Sequence, residues 1–424
     1  MCRPPVVVPD GPGLPTSRGD KLCQPGVPIG GANCATPVCQ LAKGERFRDI
    51  FAKMILHSQV VEQAIDSDER GHFVKQLVLA RGAEPIAMVR KRLAQLPESG
   101  TTTWRDPDSV AAPTRATLLL IHGYAQNRYA FHLPSRSMVN HLARAGFDVF
   151  NIDLRGRGRS AHLGAKRPLG VLDFVREDVP AALDEIRKIS GPRPVYLVGH
   201  SLGGVVSYCV AVEHRKRIAG VITLGSPYHF TLGSRWLAGA SIAFVALDRR
   251  FRLPNLPVPS KAYGSFVRVS KRFIDSPLYP IPVRGFHRGS MEPQVLDEHM
   301  SLAMDRGSIT TMRAMFRWAT QVRGLKAGRR EALFGYGSRF EALDLPLLVI
   351  AGKYDDLAPP ASVKPAYDAS RSSDKAYRKL PFGHIDLLVG RDAPQITWPL
   401  IESWISRRAA AHTGDTEPDS EEAA

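Results

Sequence analysis

Between residues 117 and 351 the chain alternates short, unbroken apolar runs with longer stretches in which apolar residues recur every three or four positions. The unbroken runs are Thr117–Ile121, Phe147–Ile152, Pro194–Val198, Ile218–Leu224 and Leu345–Ala351. Helical spacing fills Met138–Ala145, Val171–Ser190 and Leu202–His214. Strands apolar on both faces, separated by amphipathic helices, predict an α/β fold: a mostly parallel sheet with helices on both faces. Ligands of such sheets bind at the carboxyl ends of strands. The runs here end at His122-Gly123, Asp153, Gly199-His200-Ser201, Gly225-Ser226-Pro227 and Gly352, so chemistry is expected there.

The alternation stops near Tyr228 and resumes at Leu345, an interval too long for a loop. It is read as an inserted helical cap over 228–340, dividing a core of 101–227 and 341–408. Upstream, Phe47, Ile50, Phe51, Met54 and Ile55 recur at helical spacing, as do Val74, Leu77, Val78, Val89 and Leu93. This predicts a helical N-terminal extension over 45–100. Residues 1–44 hold eight Pro and seven Gly, a density that opposes regular structure and predicts a disordered arm. Residues 409–424 carry five acids and no Lys or Arg, and read as an acidic disordered tail.

Charge sharpens this picture without changing it. Lys and Arg number 57 against 41 Asp and Glu, a formal net charge of +16. Much of the excess is regional: 228–340 hold 18 Lys and Arg against 7 Asp and Glu. No nucleic-acid motif accompanies it and aromatics are 8%, so no nucleic-acid partner is expected. Four of the five cysteines lie in the first 39 residues without CxxC spacing, so neither a metal site nor a disulfide framework is indicated. No run of 18 apolar residues and no signal-peptide core is seen, and the expected setting is cytoplasmic.

The strongest chemical signal is Gly199-His200-Ser201-Leu202-Gly203, a G-x-S-x-G pentapeptide between an apolar run and a helical stretch. A sharp strand-to-helix turn would expose the Ser201 hydroxyl at the sheet edge. Only small residues two before and two after leave room for it. The same turn sets the Leu202 N–H at a helix N-terminus, able to stabilise an oxyanion.

With this motif the chain resembles the α/β-hydrolase superfamily, from about Thr117 to Ser406. The resemblance implies a Ser-His-Asp triad with Ser201 as nucleophile, and neither cofactor nor metal. His122-Gly123 looks like the oxyanion motif, giving Tyr124 and Leu202 as backbone donors. Gly352-Lys353-Tyr354-Asp355-Asp356-Leu357-Ala358-Pro359 implies Asp355 as the acid, with Asp356 a one-residue rival. Gly383-His384 implies His384 as the base, in the order Ser…Asp…His. Gly383–Asp386 with Gly390–Pro394, and Leu133-Pro134 with Gly146–Phe150, are similar to acid lipases and related bacterial lipases. The same region is similar to polyhydroxyalkanoate synthases, whose nucleophile is Cys where this chain has Ser201. The expected activity is therefore ester hydrolysis on a small ester or lipid-like substrate. Acyl transfer from the same Ser201 acyl-enzyme is the alternative.

Three further features stay open. Asp153–Ser160 resembles a phosphate-binding Gly loop but lacks the Lys-Ser/Thr ending of a P-loop, and is read as a structural turn near the site mouth. Met291, Met300, Met304, Met312 and Met315 either line an acyl channel or simply pack helices. Leu237–Leu247, followed by Arg249, Arg250 and Arg252, suits peripheral contact with an anionic membrane surface. It equally suits a solvated face beside a buried helix.

Overall fold

In the computed structural model, residues 60–95, 107–274, 276, 284–324 and 333–413 are described. The expected arm at 1–44, residues 45–59 and 96–100 of the extension, and 414–424 lie outside these. One sheet of nine strands carries the described fold, in the order β1-β2-β3-β5-β4-β6-β7-β10-β11. The parallel part contains β4 (Ala116–Ile121), β5 (Phe147–Asp153), β6 (Val195–His200), β7 (Ile218–Leu224), β10 (Leu347–Gly352) and β11 (Lys375–Leu380). Each of the five apolar runs thus forms a strand, within a few residues of its expected ends.

The pleat explains why these runs are apolar throughout. Leu119, Ile121, Phe150 and Ile152 face one core, Leu118, Leu120, Phe147 and Val149 the other. Helices α2 (Val179–Ser190) and α3 (Leu202–Glu213) cover the first face. Helices α1 (Met138–Arg144) and α7 (Ala393–Thr413) cover the second. Truncating a fully buried Leu such as Leu119 to Ala would cost about 2–5 kcal/mol.

The helical extension expected at 45–100 is overturned where it is described. Residues 60–93 form an antiparallel meander, β1 (Val60–Asp68), β2 (Gly71–Ala80) and β3 (Ile86–Leu93), and β3 pairs antiparallel with β5. Val74, Leu77 and Val78 fit a helical period, but the buried set includes Gln76, Arg90 and Lys91. These polar residues break the apolar alternation that would have announced strands. Each is paired: Arg90 clasps Asp148 through two bonds of 2.8 and 2.7 Å and donates to Gln76 at 3.1 Å. The Lys91 ammonium pairs with Asp66 and donates to Asn140 at 2.8 Å. Buried charges are tolerated when so satisfied. The tail expected from 409 also starts too early, because α7 continues to Thr413.

Between β7 and β10 the chain leaves the sheet. It forms α4 (Arg235–Phe251), α5 (Ser260–Ile274), α6 (Ile309–Gly324) and a two-residue ladder of β8 (Pro257–Val258) with β9 (Gly307–Ser308). Asp248 locks α4 to α6, accepting from Arg313 at 2.8 Å and Arg317 at 3.0 Å. Those guanidinium bonds outweigh burial and hold the Asp248 carboxyl below its ordinary pKa.

Candidate active site

The elbow after β6 is strained. Ser201 has φ 54° and ψ −121°, a backbone region a non-glycine residue adopts only when its surroundings impose it. The imposing contacts are close. A Cβ on Gly199 would lie 2.4 Å from the Gly204 Cα, and one on Gly203 would lie 2.0 Å from the Ile121 carbonyl oxygen. Gly204, which the motif alone does not require, is equally constrained: its Cβ would meet Ser226 Oγ at 2.0 Å. The Ser201 N–H donates to the Leu224 carbonyl at 2.9 Å, tying the elbow to β7.

Asp355 follows β10 and His384 follows β11, and their side chains meet: His384 Nδ1 lies 2.7 Å from Asp355 Oδ2. The other carboxylate oxygen accepts the N–H groups of Leu357 at 2.9 Å and Ala358 at 2.7 Å, which fixes its orientation. Gly225 makes this meeting possible. It has φ +53°, and a Cβ there would sit 2.9 Å from Asp355 Oδ2 and 3.1 Å from His384 Nδ1. Burial pulls the His384 pKa down, but the Asp355 carboxylate, its hydrogen bond, and the nearby Asp356 and Asp386 outweigh this and raise it. Ser201 and His384 line the same cavity, of about 420 Å³. No hydrogen bond joins their side chains in this structure; such contacts commonly tighten only with substrate bound.

Asp356, the rival acid, points elsewhere. It accepts the N–H groups of Arg284 at 2.5 Å and Gly285 at 3.0 Å, and burial raises its pKa. Asp386 has a similar tethering role, accepting from Gly383 at 2.8 Å and His287 at 2.6 Å. Burial pushes its pKa up to about 6. Both carboxylates anchor residues 284–287, between α5 and α6, to the loops that carry Asp355 and His384.

Next to Ser201, Leu202 opens α3, and the first N–H groups of a helix have no partner within it. Tyr124 sits on the loop after β4, lines the cavity, and donates its hydroxyl to the Ser308 carbonyl at 3.1 Å. His122 fixes the start of this loop, with Nδ1 2.9 Å from the Gly123 carbonyl and Nε2 accepting the Leu154 N–H at 3.2 Å. Burial lowers its pKa to about 4, so the ring is neutral.

Sequence reasoning missed a buried polar cluster beside the elbow, of which Gln126 and His299 line the cavity. Gln126 Oε1 accepts the Gly123 N–H at 3.1 Å and lies 3.2 Å from His200 Nδ1. Gln126 Nε2 lies 3.4 Å from His299 Nε2, and His200 Nε2 lies 3.2 Å from the His384 carbonyl. Backbone bonds Asn127 N–H to Ala303 O (3.0 Å) and Asp305 N–H to Ala125 O (2.8 Å) run alongside. The loop after β4 is thereby stitched both to the elbow and to residues 299–305. Only His200, the residue before the serine of G-x-S-x-G, hinted at this, because the partners lie far apart in sequence.

Most of the remaining lining is apolar. Met300, Met304, Met312 and Met315 contribute, with Phe230 and Phe316. Met291 is instead buried in the core. The Asp153–Ser160 loop is held by hydrogen bonds: Asp153 accepts from the backbone of Arg128 and of Arg159, each at 2.8 Å, and Ala87 donates to Ser160 Oγ at 2.9 Å. Among the described residues no group of three metal-ligating side chains gathers, and no helix is long and apolar enough to cross a membrane.

An elbow serine after a parallel strand, with a paired acid and histidine on later strand ends, defines the class. The model of the alpha/beta hydrolase fold matches residues 116–391, and the chain belongs to that family. It is similar to the poly(3-hydroxyalkanoate) polymerase subunit of Haloferax mediterranei, 26% identical over 378 residues, covering 86% of this chain and 72% of the relative. The Haloarcula marismortui counterpart is also 26% identical, and the match spans 63% of its length. Human gastric triacylglycerol lipase is 25% identical over 328 residues, covering 69% of this chain and 80% of the lipase. Among solved structures, DcsB in complex with its substrate analogue aligns with a TM-score of 0.50 at 15% identity. That alignment covers 79% of this chain and 99% of DcsB, a likeness of fold alone.

Proposed function

We propose that the protein is a serine hydrolase that cleaves carboxylic esters of lipid-like substrates through an acyl-enzyme on Ser201. The observation that carries this reading is one apolar cavity into which both Ser201 and His384 open, with His384 bonded to Asp355 behind it. Ser201 Oγ attacks the ester carbonyl while His384 takes its proton. The oxyanion accepts from the Tyr124 and Leu202 N–H groups. Collapse expels the alcohol, protonated by His384. Water, deprotonated by His384, then attacks the acyl-enzyme and releases the acid. Asp355 orients the imidazole and stabilises its charged form.

The methionines and phenylalanines support an acyl chain as the bound group, since thioethers adapt to irregular apolar shapes. The segment over 228–340 acts as the cap that forms this lining. A p-nitrophenyl ester series of increasing chain length, on wild type and Ser201→Ala, tests the reading. Cleavage that survives Ser201→Ala would refute it. Acyl transfer is the second reading, favoured by the likeness to the polymerase subunits. Product analysis with a competing alcohol or thiol separates the two.

The outward faces of α4 and α5 support contact with an anionic lipid surface. Trp236, Ile242, Leu247 and Phe251 on α4 and Phe266, Val269 and Phe273 on α5 are exposed, Val269 at 89%. Exposed Arg249, Arg250 and Arg252 follow at the end of α4. An apolar face beside basic residues matches the boundary of an anionic bilayer. Vesicle binding that rises with phosphatidylserine content and falls with salt is expected. Indifference to both would remove this contact.

A further inference from the structure

A second cavity, of about 720 Å³, has a different character. Its walls carry Lys166, Arg167, Lys261 and Arg306 against a single carboxylate, Asp305. All four cations are exposed, and none has an ion-pair partner among the described residues. By contrast, Arg90, Arg128, Arg155 and Arg313 each clasp a carboxylate. Asp305 is buried, and its oxygens are already engaged by the Gly158 N–H at 2.8 Å, the Arg306 N–H at 2.7 Å and the Asn127 amide at 3.3 Å. Arg157, also buried, stands within electrostatic reach of Asp305 and Tyr124. Unpaired cations facing one concavity repel one another, and a polyvalent anion relieves that repulsion.

The floor carries no side chains at Gly156 and Gly158, whose φ values of +70° and +43° turn the chain there. Residues close in sequence line the two cavities. Met304 lines the catalytic cavity while Asp305 and Arg306 line the second. On α5, Tyr263 lines the first and Lys261 the second. A ligand with its acyl chain among the methionines therefore has a basic recess adjacent to it.

We infer that the basic cavity binds a phosphate group at the polar end of the ester or thioester whose acyl chain occupies the catalytic cavity. Several acceptor oxygens and a charge near −2 match several converging donors better than a carboxylate would. The inference deepens the ester-cleaving reading above and rests on it.

Two measurements keep those readings distinguishable. Calorimetry with inorganic pyrophosphate on Ser201→Ala, with and without Lys166→Ala/Arg167→Ala, reports the basic cavity without catalysis. Steady-state kinetics on wild type and that double variant compare p-nitrophenyl decanoate, a lysophosphatidate and an acyl-coenzyme A thioester. Pyrophosphate affinity should fall about tenfold in the double variant. KM for a phosphate-bearing substrate should rise about tenfold relative to KM for the neutral ester. A response confined to the lysophosphatidate identifies a lipid headgroup; one confined to the thioester identifies a water-soluble carrier. Equal changes for neutral and phosphate-bearing substrates, or none, overturn the inference. So does pyrophosphate binding without any substrate response, which would indicate a free-anion site. Intact pyrophosphate binding in a protein that cleaves none of the three substrates sinks the ester-cleaving reading and the substrate assignment together.

Discussion

The floor and the roof of the catalytic cavity are built from different materials. The floor consists of strand ends and tight loops: Gly199, Gly203, Gly204 and Gly225 sit where an added Cβ would meet neighbouring atoms at 2.9 Å or less. The roof is made of side chains, with Leu237 from α4, Tyr263 from α5 and Met312, Met315 and Phe316 from α6. A floor held by backbone contact tolerates little displacement, which the positioning of a nucleophile requires. A roof of thioethers and rings yields to the shape of the ligand. On the proposed function, reaction chemistry falls to the floor and selectivity to the roof, with Gln126 and His299 joining the two.

Substitutions should respect that division. The largest effect belongs to Ser201→Ala, expected to lower kcat at least about 10⁴-fold in stopped or steady-state assays while the fold persists by circular dichroism. Asp355→Asn comes next, with a loss of roughly 10³–10⁴ in kcat. It also carries a signature in pH. His384 must be neutral to accept the Ser201 proton, and its pKa is raised above the ordinary 6.5, so kcat/KM should fall as pH drops through a value above 6.5. Removing the Asp355 charge removes the main upward push, and the acid limb should move to lower pH. An unmoved limb would show that another group sets it.

How much of this could be read beforehand follows the same division. Five of the parallel strands and the elbow were legible because strands buried on both faces leave unbroken apolar runs and because the turn after β6 demands glycine; β11, partly exposed, leaves no such run. The antiparallel strands were hidden by Gln76, Arg90 and Lys91, whose burial depends on Asp66, Asp148 and Asn140 elsewhere in the chain. Gln126 was invisible for the same reason: its partner His299 lies 173 residues away. Tertiary pairing between distant polar residues leaves no periodicity in the sequence.

Gln126→Ala tests the join between floor and roof. Gln126 lines the cavity and also holds the Gly123 backbone. If the backbone contact is its main part, kcat should drop roughly ten- to a hundredfold, less than for a lost oxyanion donor, with little change in KM. A rise in KM alone would assign it to ligand binding instead. The smallest effect belongs to the roof. Met312→Ala with Met315→Ala should shift the preferred acyl chain length by a few carbons with a change of a few-fold in kcat/KM for the best substrate. An unchanged chain-length profile would leave these residues with packing alone.

The central claim is that Ser201 carries the acyl group. Rapid acid quench of the wild-type protein with p-nitrophenyl decanoate, followed by peptide mass mapping, tests it most directly. A decanoyl increment is expected on the peptide containing Ser201, absent in Ser201→Ala and accumulating further in Asp355→Asn if deacylation is the slower step. A decanoyl group on any other residue, or turnover with no covalent species at any quench time, would contradict it.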